Sequence, residues 1–228
     1  MKFYVYNEEL DVIIQNIVAR IKHLKIGEVS SQLEEMGINY RLNYGVSLVH
    51  LRSLAKEFAE HHSFEIADRL WHLEYRETLI LATMLVNPSE ITDSHLDEWT
   101  KHIDNVEIAE QIAFNLLGKR KDSEELIEKW IYSEEPYVRY AALMSIGWQY
   151  RDSDSKMSPI VTKNINHIFE MISNPQLSRA ATNSLKMAGR FDESIRENIL
   201  SIANKLLNSE DVRLKQAGEE IIFEIEMA

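Results

Sequence analysis

The chain has 228 residues, of which 45% are hydrophobic and 27% are charged, and its formal net charge is −12. Its 7 glycines and 4 prolines are too few for the many turns of an all-β protein, and its apolar fraction is sufficient for a large core. The absence of cysteine excludes disulfides, thiolate metal sites and a cysteine nucleophile.

Targeting and catalytic motifs are also missing. The N-terminal residues lack the apolar run and cleavage site of a signal peptide, and the longest apolar stretch, around 79–86, is too short to span a bilayer. No Gly-rich phosphate loop is present, and His61 and His62 match no zinc motif. We therefore expect a cytoplasmic protein that has no cofactor, no metal and no membrane partner.

Apolar periodicity and helix-start residues predict helices along nearly the whole chain. The first predicted helix, 8–24, has an apolar stripe that includes Leu10, Ile14, Ile17 and Ile21. Further helices are predicted over 29–36, 47–61, 64–73 and 75–85. The remaining helices are predicted to begin at about Ser94, Val106, Ser123, Pro136, Ser158, Pro175, Asp192 and Ser209.

One local pattern returns along the chain. The pattern is an apolar residue, then a charged or polar residue, then small residues. It begins at Val106, Val138, Leu177 and Val212, with spacings of 32, 39 and 35 residues. Periods of this length are typical of stacked helix pairs of the HEAT type, in which small residues let neighbouring helices approach closely. The sequence therefore predicts an all-α fold, a right-handed α-solenoid of about six HEAT-like helical repeats, in one domain covering 1–228.

The charge is distributed unevenly. Residues 1–118 contain 10 basic and 19 acidic side chains, whereas residues 119–228 contain 15 basic and 18 acidic side chains. A nucleic-acid surface would therefore draw on the second half of the chain. The candidate phosphate contacts are Arg139, Arg179, Lys186 and the basic loop Lys119-Arg120-Lys121.

Each of these cations also has a structural interpretation. In HEAT stacks the arginine of the repeated step often pairs with a carboxylate of the adjacent repeat, which applies to Arg139 and more strongly to Arg213. The basic loop is equally compatible with simple solvation. Apolar periodicity favours core positions for Trp71, Trp130 and Trp148, because each lies in an apolar run.

Three strings, in this order, carry a family resemblance. They are GVS at 45–47 followed by LRSLAK at 51–56, LWHLEYRE at 70–77, and WIYSEEPYVR at 130–139. Together they resemble the AlkD-like DNA alkylation repair family, the HEAT-repeat alkylpurine DNA glycosylases, over roughly residues 35–210.

The resemblance implies duplex DNA as the partner, bound in a concave cleft. Family glycosylases release cationic N3- and N7-alkylated purines, with a pair of tryptophans and an aspartate against the deoxyribose and an arginine on the nearby phosphate. A carboxylate stabilises the oxocarbenium-like charge that develops on the sugar, and aromatic faces add cation–π attraction.

The residues that match this site are partly substituted. The family's Trp-Asp-x-Val-Asp segment falls on 103–107. Ile103 stands in place of the tryptophan, and Glu107 stands in place of the final aspartate. A second register pairs Trp99 with Asp104. The other family tryptophan is absent near Asn183, and only Arg139 matches cleanly.

Glu107 and Asp104 are therefore the candidate catalytic residues, and Trp99 and Arg139 are candidate DNA contacts. Both carboxylates also suit a helix start, where Asp104 could act as the N-cap. The substitutions predict a protein that binds damaged or structured duplex DNA with weak or absent glycosylase activity. The alternative is a non-catalytic HEAT-repeat scaffold that binds a protein partner, which the acidic balance favours.

Overall fold

The computed structural model describes residues 2, 4–151 and 157–227. All regular structure in these residues is helical, apart from one isolated parallel bridge between Leu42 and Tyr75. The prediction of an all-helical fold is therefore confirmed. By its internal contacts the chain divides into two compact units, residues 1–111 and 112–228, whereas the sequence predicts one domain.

The first unit contains short helices joined by tight connections. Their bounds are α1 (Glu8–His23), α2 (Gly27–Glu35), α3 (Leu48–Glu57), α4 (Phe64–Trp71), α5 (Arg76–Met84), α6 (Asp93–Trp99) and α7 (Val106–Ile112), with 3₁₀ turns at Ala59–His61 and Thr100–His102.

Side-chain caps begin most of these helices. Asn7, Ser47, Ser63 and Thr92 each accept a hydrogen bond from a backbone N–H in the first turn that follows. Helix α5 packs on both α3 and α4, and α4 also packs on α1. The apolar faces of these helices therefore form the core of the unit.

The second unit contains longer helices. After a π-helical turn at Ala113–Leu117 come α8 (Glu124–Ile131), α9 (Pro136–Gln149), α10 (Ser158–Met171), α11 (Ser178–Phe191), α12 (Glu193–Leu207) and α13 (Val212–Glu226). Helix α11 packs on both α9 and α13, whereas α10 packs on α12. The helices thus form two rows, and consecutive helices such as α8 and α9 or α12 and α13 pair across them.

Small residues allow α9 and α11 to pack closely. A Cβ added at Gly147 would lie 2.2 Å from Asn183 Nδ2. The Ala-Ala steps that follow Arg139 and Arg179 are fully buried, as the repeat pattern predicts. Ser184 Oγ donates to the Leu143 carbonyl at 2.6 Å, so the two helices contact along their middle turns.

Two helices begin three residues later than the pattern predicts. The sequence predicts starts at Pro175 and Ser209, but α11 begins at Ser178 and α13 at Val212. Asp211 caps α13 by accepting from Arg213 N at 2.9 Å, while Ser209 Oγ only accepts from the Asp211 N–H. Two cap-like residues in succession therefore compete, and the second one begins the helix.

Candidate nucleic-acid interface

An ion-pair cage surrounds Glu107, one of the two candidate catalytic carboxylates. It consists of Arg76, Glu107, Tyr40 and Glu77. Arg76, the first residue of α5, is only 2% exposed. Its Nε donates to Glu107 Oε2 at 2.8 Å and its Nη2 to Glu107 Oε1 at 2.6 Å. Glu107 therefore has both oxygens held by one guanidinium.

Tyr40 and Glu77 complete the cage. The Tyr40 hydroxyl donates to Glu107 Oε2 at 2.5 Å, and burial followed by the negative charge of Glu107 raises the pKa of this phenol above its ordinary value. Glu77 is fully buried and accepts from the N–H groups of Tyr44 and Val46 and from Arg76 Nη1. The two carboxylates thus share one buried cation and several neutral donors.

The backbone around the cage depends on Gly45. Its φ is +73°, and a Cβ there would lie 1.9 Å from the Ile26 carbonyl oxygen. The extended segment that ends at Val46 can therefore approach the start of α2 only with glycine at this position.

The cage limits what Glu107 can do chemically. A carboxylate stabilises an oxocarbenium-like sugar through its uncompensated negative field, and a bidentate guanidinium largely cancels that field. Asp104 is exposed and accepts from Asn105 Nδ2 at 2.9 Å. The expectation that Asp104 caps α7 is wrong: Asn105 Oδ1 accepts from Ile108 N at 3.0 Å.

Trp99 lies in the core of the first unit. It is fully buried and stacks on Trp71 with ring centroids 4.3 Å apart. Its indole Nε1 donates to Asp68 Oδ1 at 3.1 Å. In this structure Trp99 therefore presents no face to a ligand. Its stacking on Trp71 and its hydrogen bond to Asp68 both stabilise the core.

Asp68 is a buried carboxylate that sequence reasoning missed. It is 4% exposed and also accepts from the Tyr4 hydroxyl at 2.8 Å, with Lys2 Nζ at 3.0 Å. Burial acts to raise its pKa, but the bonds from Trp99, Lys2 and Tyr4 outweigh burial and lower it. The sequence pattern that could have identified Asp68 is an aspartate near Ala67 and Leu70, on the apolar face of a predicted helix.

Arg139 in the second unit has the opposite environment. It is half-buried on α9, and its Nε is shielded from solvent without a hydrogen-bond partner in the described part of the chain. Arg139 also has no carboxylate partner there, so the predicted ladder to an adjacent repeat is not seen for this residue. Arg213 instead pairs with Asp211 of its own first turn at 2.8 Å.

The other predicted cations lie on α11 and in the basic loop. Arg179 is exposed, and Lys186 is partly exposed without an ion pair to any residue within 2, 4–151 and 157–227. Positions 179, 183 and 186 share one face of α11 because they are four and three residues apart. Arg139 and these cations come from two helices in direct contact.

The basic loop is only partly available to a ligand. Arg120 is 8% exposed and pairs with Asp122 at 2.7 Å, while Lys119 and Lys121 are exposed. Gln149, another residue that sequence reasoning missed, donates to the carbonyls of Leu117 and Arg120 at 2.6 and 2.7 Å. The loop is therefore fixed to the end of α9.

Within 2, 4–151 and 157–227, no group of three or more His, Asp or Glu residues is arranged to hold a metal ion. No helix in the same ranges combines the length and apolar character needed to cross a bilayer.

Comparisons with known proteins agree with this description. The stacked helix pairs of the second unit define a helical-repeat protein of the HEAT type. Residues 17–175 match the family model described as DNA alkylation repair enzyme. The match covers more than half of the chain, so the chain belongs to the DNA alkylation repair family.

A solved structure has the same fold. It comes from a family of proteins related to the HEAT-like repeat DNA glycosylases, with affinity for branched DNA structures. The TM-score is 0.74 at 16% sequence identity, and the match covers 94% of each chain. No curated protein matches the sequence. The prediction of a HEAT-like fold is therefore confirmed.

Proposed function

We propose that this protein binds branched or damaged DNA through the cations of α9 and α11, and that it excises alkylated purines weakly or not at all. The observation that carries the DNA-binding part is the half-buried Arg139 guanidinium, whose Nε has no partner in the described residues. A partly desolvated cation that lacks an internal acceptor is stabilised when a phosphate supplies one.

Lys186 and Arg179 extend the same cationic surface along α11. Phosphate contacts of this kind are sequence-independent and become weaker as salt concentration rises, because binding releases counterions from DNA. A protein with a net charge of −12 needs such a local concentration of cations to approach DNA. DNA binding should therefore be strongly salt-dependent.

The preference for branched DNA is supported by the structural neighbour, which is described as having affinity for branched DNA structures. Family membership supports the same partner. The scaffold alternative requires a protein partner, and neither observation favours one over DNA. We therefore place DNA first and treat a protein partner as the outcome to be tested against it.

Weak or absent excision is supported by the cage around Glu107. Both oxygens of this carboxylate are held by Arg76, and the residue that replaces the family tryptophan, Ile103, is 4% exposed. In this arrangement Glu107 cannot present an uncompensated charge to a sugar, and Ile103 cannot present an aromatic face.

The binding part is tested with fluorescently labelled DNA at low salt. A three-way junction should bind more tightly than a blunt duplex of equal length. The Arg139→Gln/Lys186→Gln protein should bind the junction about tenfold more weakly. Arg213→Gln is the matched control, since Arg213 already pairs with Asp211, and should leave the affinity unchanged. No binding to either DNA would contradict the proposal and leave the scaffold alternative.

The excision part is tested by release of 7-methylguanine and 3-methyladenine from methylated DNA. Wild type should release either base slowly, or no faster than the buffer control. Robust release that Glu107→Gln or Asp104→Asn abolishes would overturn the proposal and identify the catalytic carboxylate.

A further inference from the structure

A second cationic surface lies in the second unit, away from Arg139. It consists of Phe114, Lys119, Trp148 and Arg151, and is called the aromatic–cation patch below. The rings of Phe114 and Trp148 meet edge to face with centroids 4.7 Å apart. Arg151 Cζ lies 4.4 Å from the Trp148 centroid, and Lys119 Nζ lies 4.9 Å from the Phe114 centroid.

The cations of the patch are covered only by aromatic rings. Lys119 and Arg151 are exposed, and neither forms an ion pair with a carboxylate in the ranges that the structure describes. Partial burial of its amino group lowers the pKa of Lys119, and no neighbouring charge acts to raise it. Exposed cation–π contacts are weak, at about 0.5–1 kcal/mol, so a stronger ligand can displace these cations from the rings.

The aromatic part of the patch is rigid. A Cβ added at Gly118 would lie 2.5 Å from Trp148 Cβ, so Gly118 lets the indole pack against the turn. Phe114 belongs to the π-helical turn Ala113–Leu117, a type of local distortion frequent at functional sites. Gln149 fixes the end of that turn through the Leu117 carbonyl.

Trp148 is partly exposed, unlike every other tryptophan of the chain. Trp71 and Trp99 are 0% exposed and Trp130 is 2% exposed. The sequence predicts that Trp148 is a core residue. In the structure it is only partly buried, so this prediction is wrong for the exposed part of the indole. An accessible indole flanked by two cations has the composition of a single-strand binding site, where bases stack on aromatic rings and cations hold the phosphates.

The patch and Arg139 face different directions. Trp148 follows Arg139 by nine residues (148 minus 139), which on an α-helix is about two and a half turns and places the two on opposite sides of α9. A straight duplex on the Arg139 side cannot also contact Trp148, because α9 itself lies between them. A branched DNA has additional segments that can follow another direction.

From this geometry we infer that the aromatic–cation patch binds an unpaired nucleotide of branched or single-stranded DNA. The base stacks on Trp148 in place of Arg151, and the released guanidinium and the Lys119 ammonium contact the flanking phosphates. This inference rests on the proposed function, since it assigns the unpaired part of the same DNA ligand to a second surface.

Trp148 fluorescence is a direct test. A thymidine oligonucleotide of about ten residues, within the site size of single-strand binding proteins, is titrated into the protein at low salt. Wild type should show quenched tryptophan emission on binding. Trp148→Phe keeps a ring but removes the only accessible indole of the described residues. It should lose the quench while binding the labelled oligonucleotide within about threefold of wild type.

Affinity measurements with two further variants and one control variant complete the test. Trp148→Leu and Lys119→Gln/Arg151→Gln should each weaken oligonucleotide binding about tenfold without changing blunt-duplex binding. Lys205→Gln/Lys215→Gln removes the same charge from exposed positions on α12 and α13 and should have little effect.

The outcomes separate the two proposals. Binding of the oligonucleotide without a change in emission, or with unchanged affinity in Trp148→Leu, overturns the patch. Failure of the oligonucleotide to bind overturns it as well. If the junction still binds in either case and Arg139→Gln/Lys186→Gln weakens it, the proposed function stands without this inference. If no DNA binds at all, both proposals fail.

Discussion

Arg76 in the first unit and Arg139 in the second are both withdrawn from solvent but have opposite surroundings. Arg76 is 2% exposed and holds Glu107 with two hydrogen bonds while a third goes to the Val46 carbonyl. Arg139 is half-buried with an Nε that has no partner in the described residues. One arginine has its interactions satisfied inside the protein, whereas the Nε of the other has no acceptor among the residues described.

The comparison separates structural charge from functional charge. A buried cation whose donors are all used stabilises the fold and has nothing left for a ligand. A shielded donor without an internal acceptor costs stability unless a ligand supplies one, which is why Arg139 supports the proposed DNA contact. The same difference appears between Trp99, which donates to Asp68 in the core, and Trp148, which has an accessible edge.

The largest expected effect comes from breaking the cage. Arg76→Met should lower the free energy of unfolding by about 3–5 kcal/mol, because Glu107 and Glu77 lose the one cation that pairs with both of them among the described residues, within a buried site. Arg41→Met, at the exposed pair with Glu74, should cost less than about 1 kcal/mol. Urea denaturation measures both, and equal losses would contradict the assignment of Arg76 as structural.

The cage can also be disturbed through its backbone. Gly45→Ala should destabilise the protein by about 3 kcal/mol, since it combines a positive φ with a backbone clash. Gly37→Ala is the control: its φ is +77° but a Cβ there meets nothing within 4 Å. Its cost should be only about 1–2 kcal/mol. Thermal unfolding distinguishes them, and an equal cost would mean that residues 38–46 can move away.

Acid should weaken the first unit through Asp68. Its pKa is lowered in the folded protein, so its contribution to stability is present above about pH 4 and is lost as pH falls through the folded pKa. Asp68→Asn should flatten the dependence of stability on pH below that point. Asp104→Asn removes a carboxylate from an exposed position and is the control. A wild-type dependence in Asp68→Asn would show that other carboxylates are responsible.

The smallest expected effect on folding is at Arg139. Arg139→Met should change the free energy of unfolding by less than about 0.5 kcal/mol, because no internal hydrogen bond of its Nε is lost. Junction affinity should fall nevertheless. A loss of stability comparable to that of Arg76→Met would show that Arg139 is structural, and the comparison on which the proposed function depends would fail.

The candidate site was only partly predictable. The resemblance identified Arg139 and Glu107 as positions of interest, but it could not show that Glu107 is bound by Arg76, a residue 31 positions earlier in the chain. The pairing requires the segment around Gly45 and the start of α5 to meet, which is a tertiary event. Asp104 and Asn105 illustrate the same limit locally, since both are good caps and only packing selected Asn105.

The sequence by itself determined the helical class and the HEAT-like repeat, because apolar periodicity and small residues at fixed spacing leave few other ways to bury the apolar faces. It also indicated the family, and it indicated that the second half of the chain is the less acidic part. Only the tertiary structure decided which charged and aromatic residues are satisfied internally. Arg76 and Trp99 form hydrogen bonds to residues far away in the chain, whereas the Arg139 Nε has no partner in the described residues and Trp148 stays partly exposed. No local pattern encodes that difference.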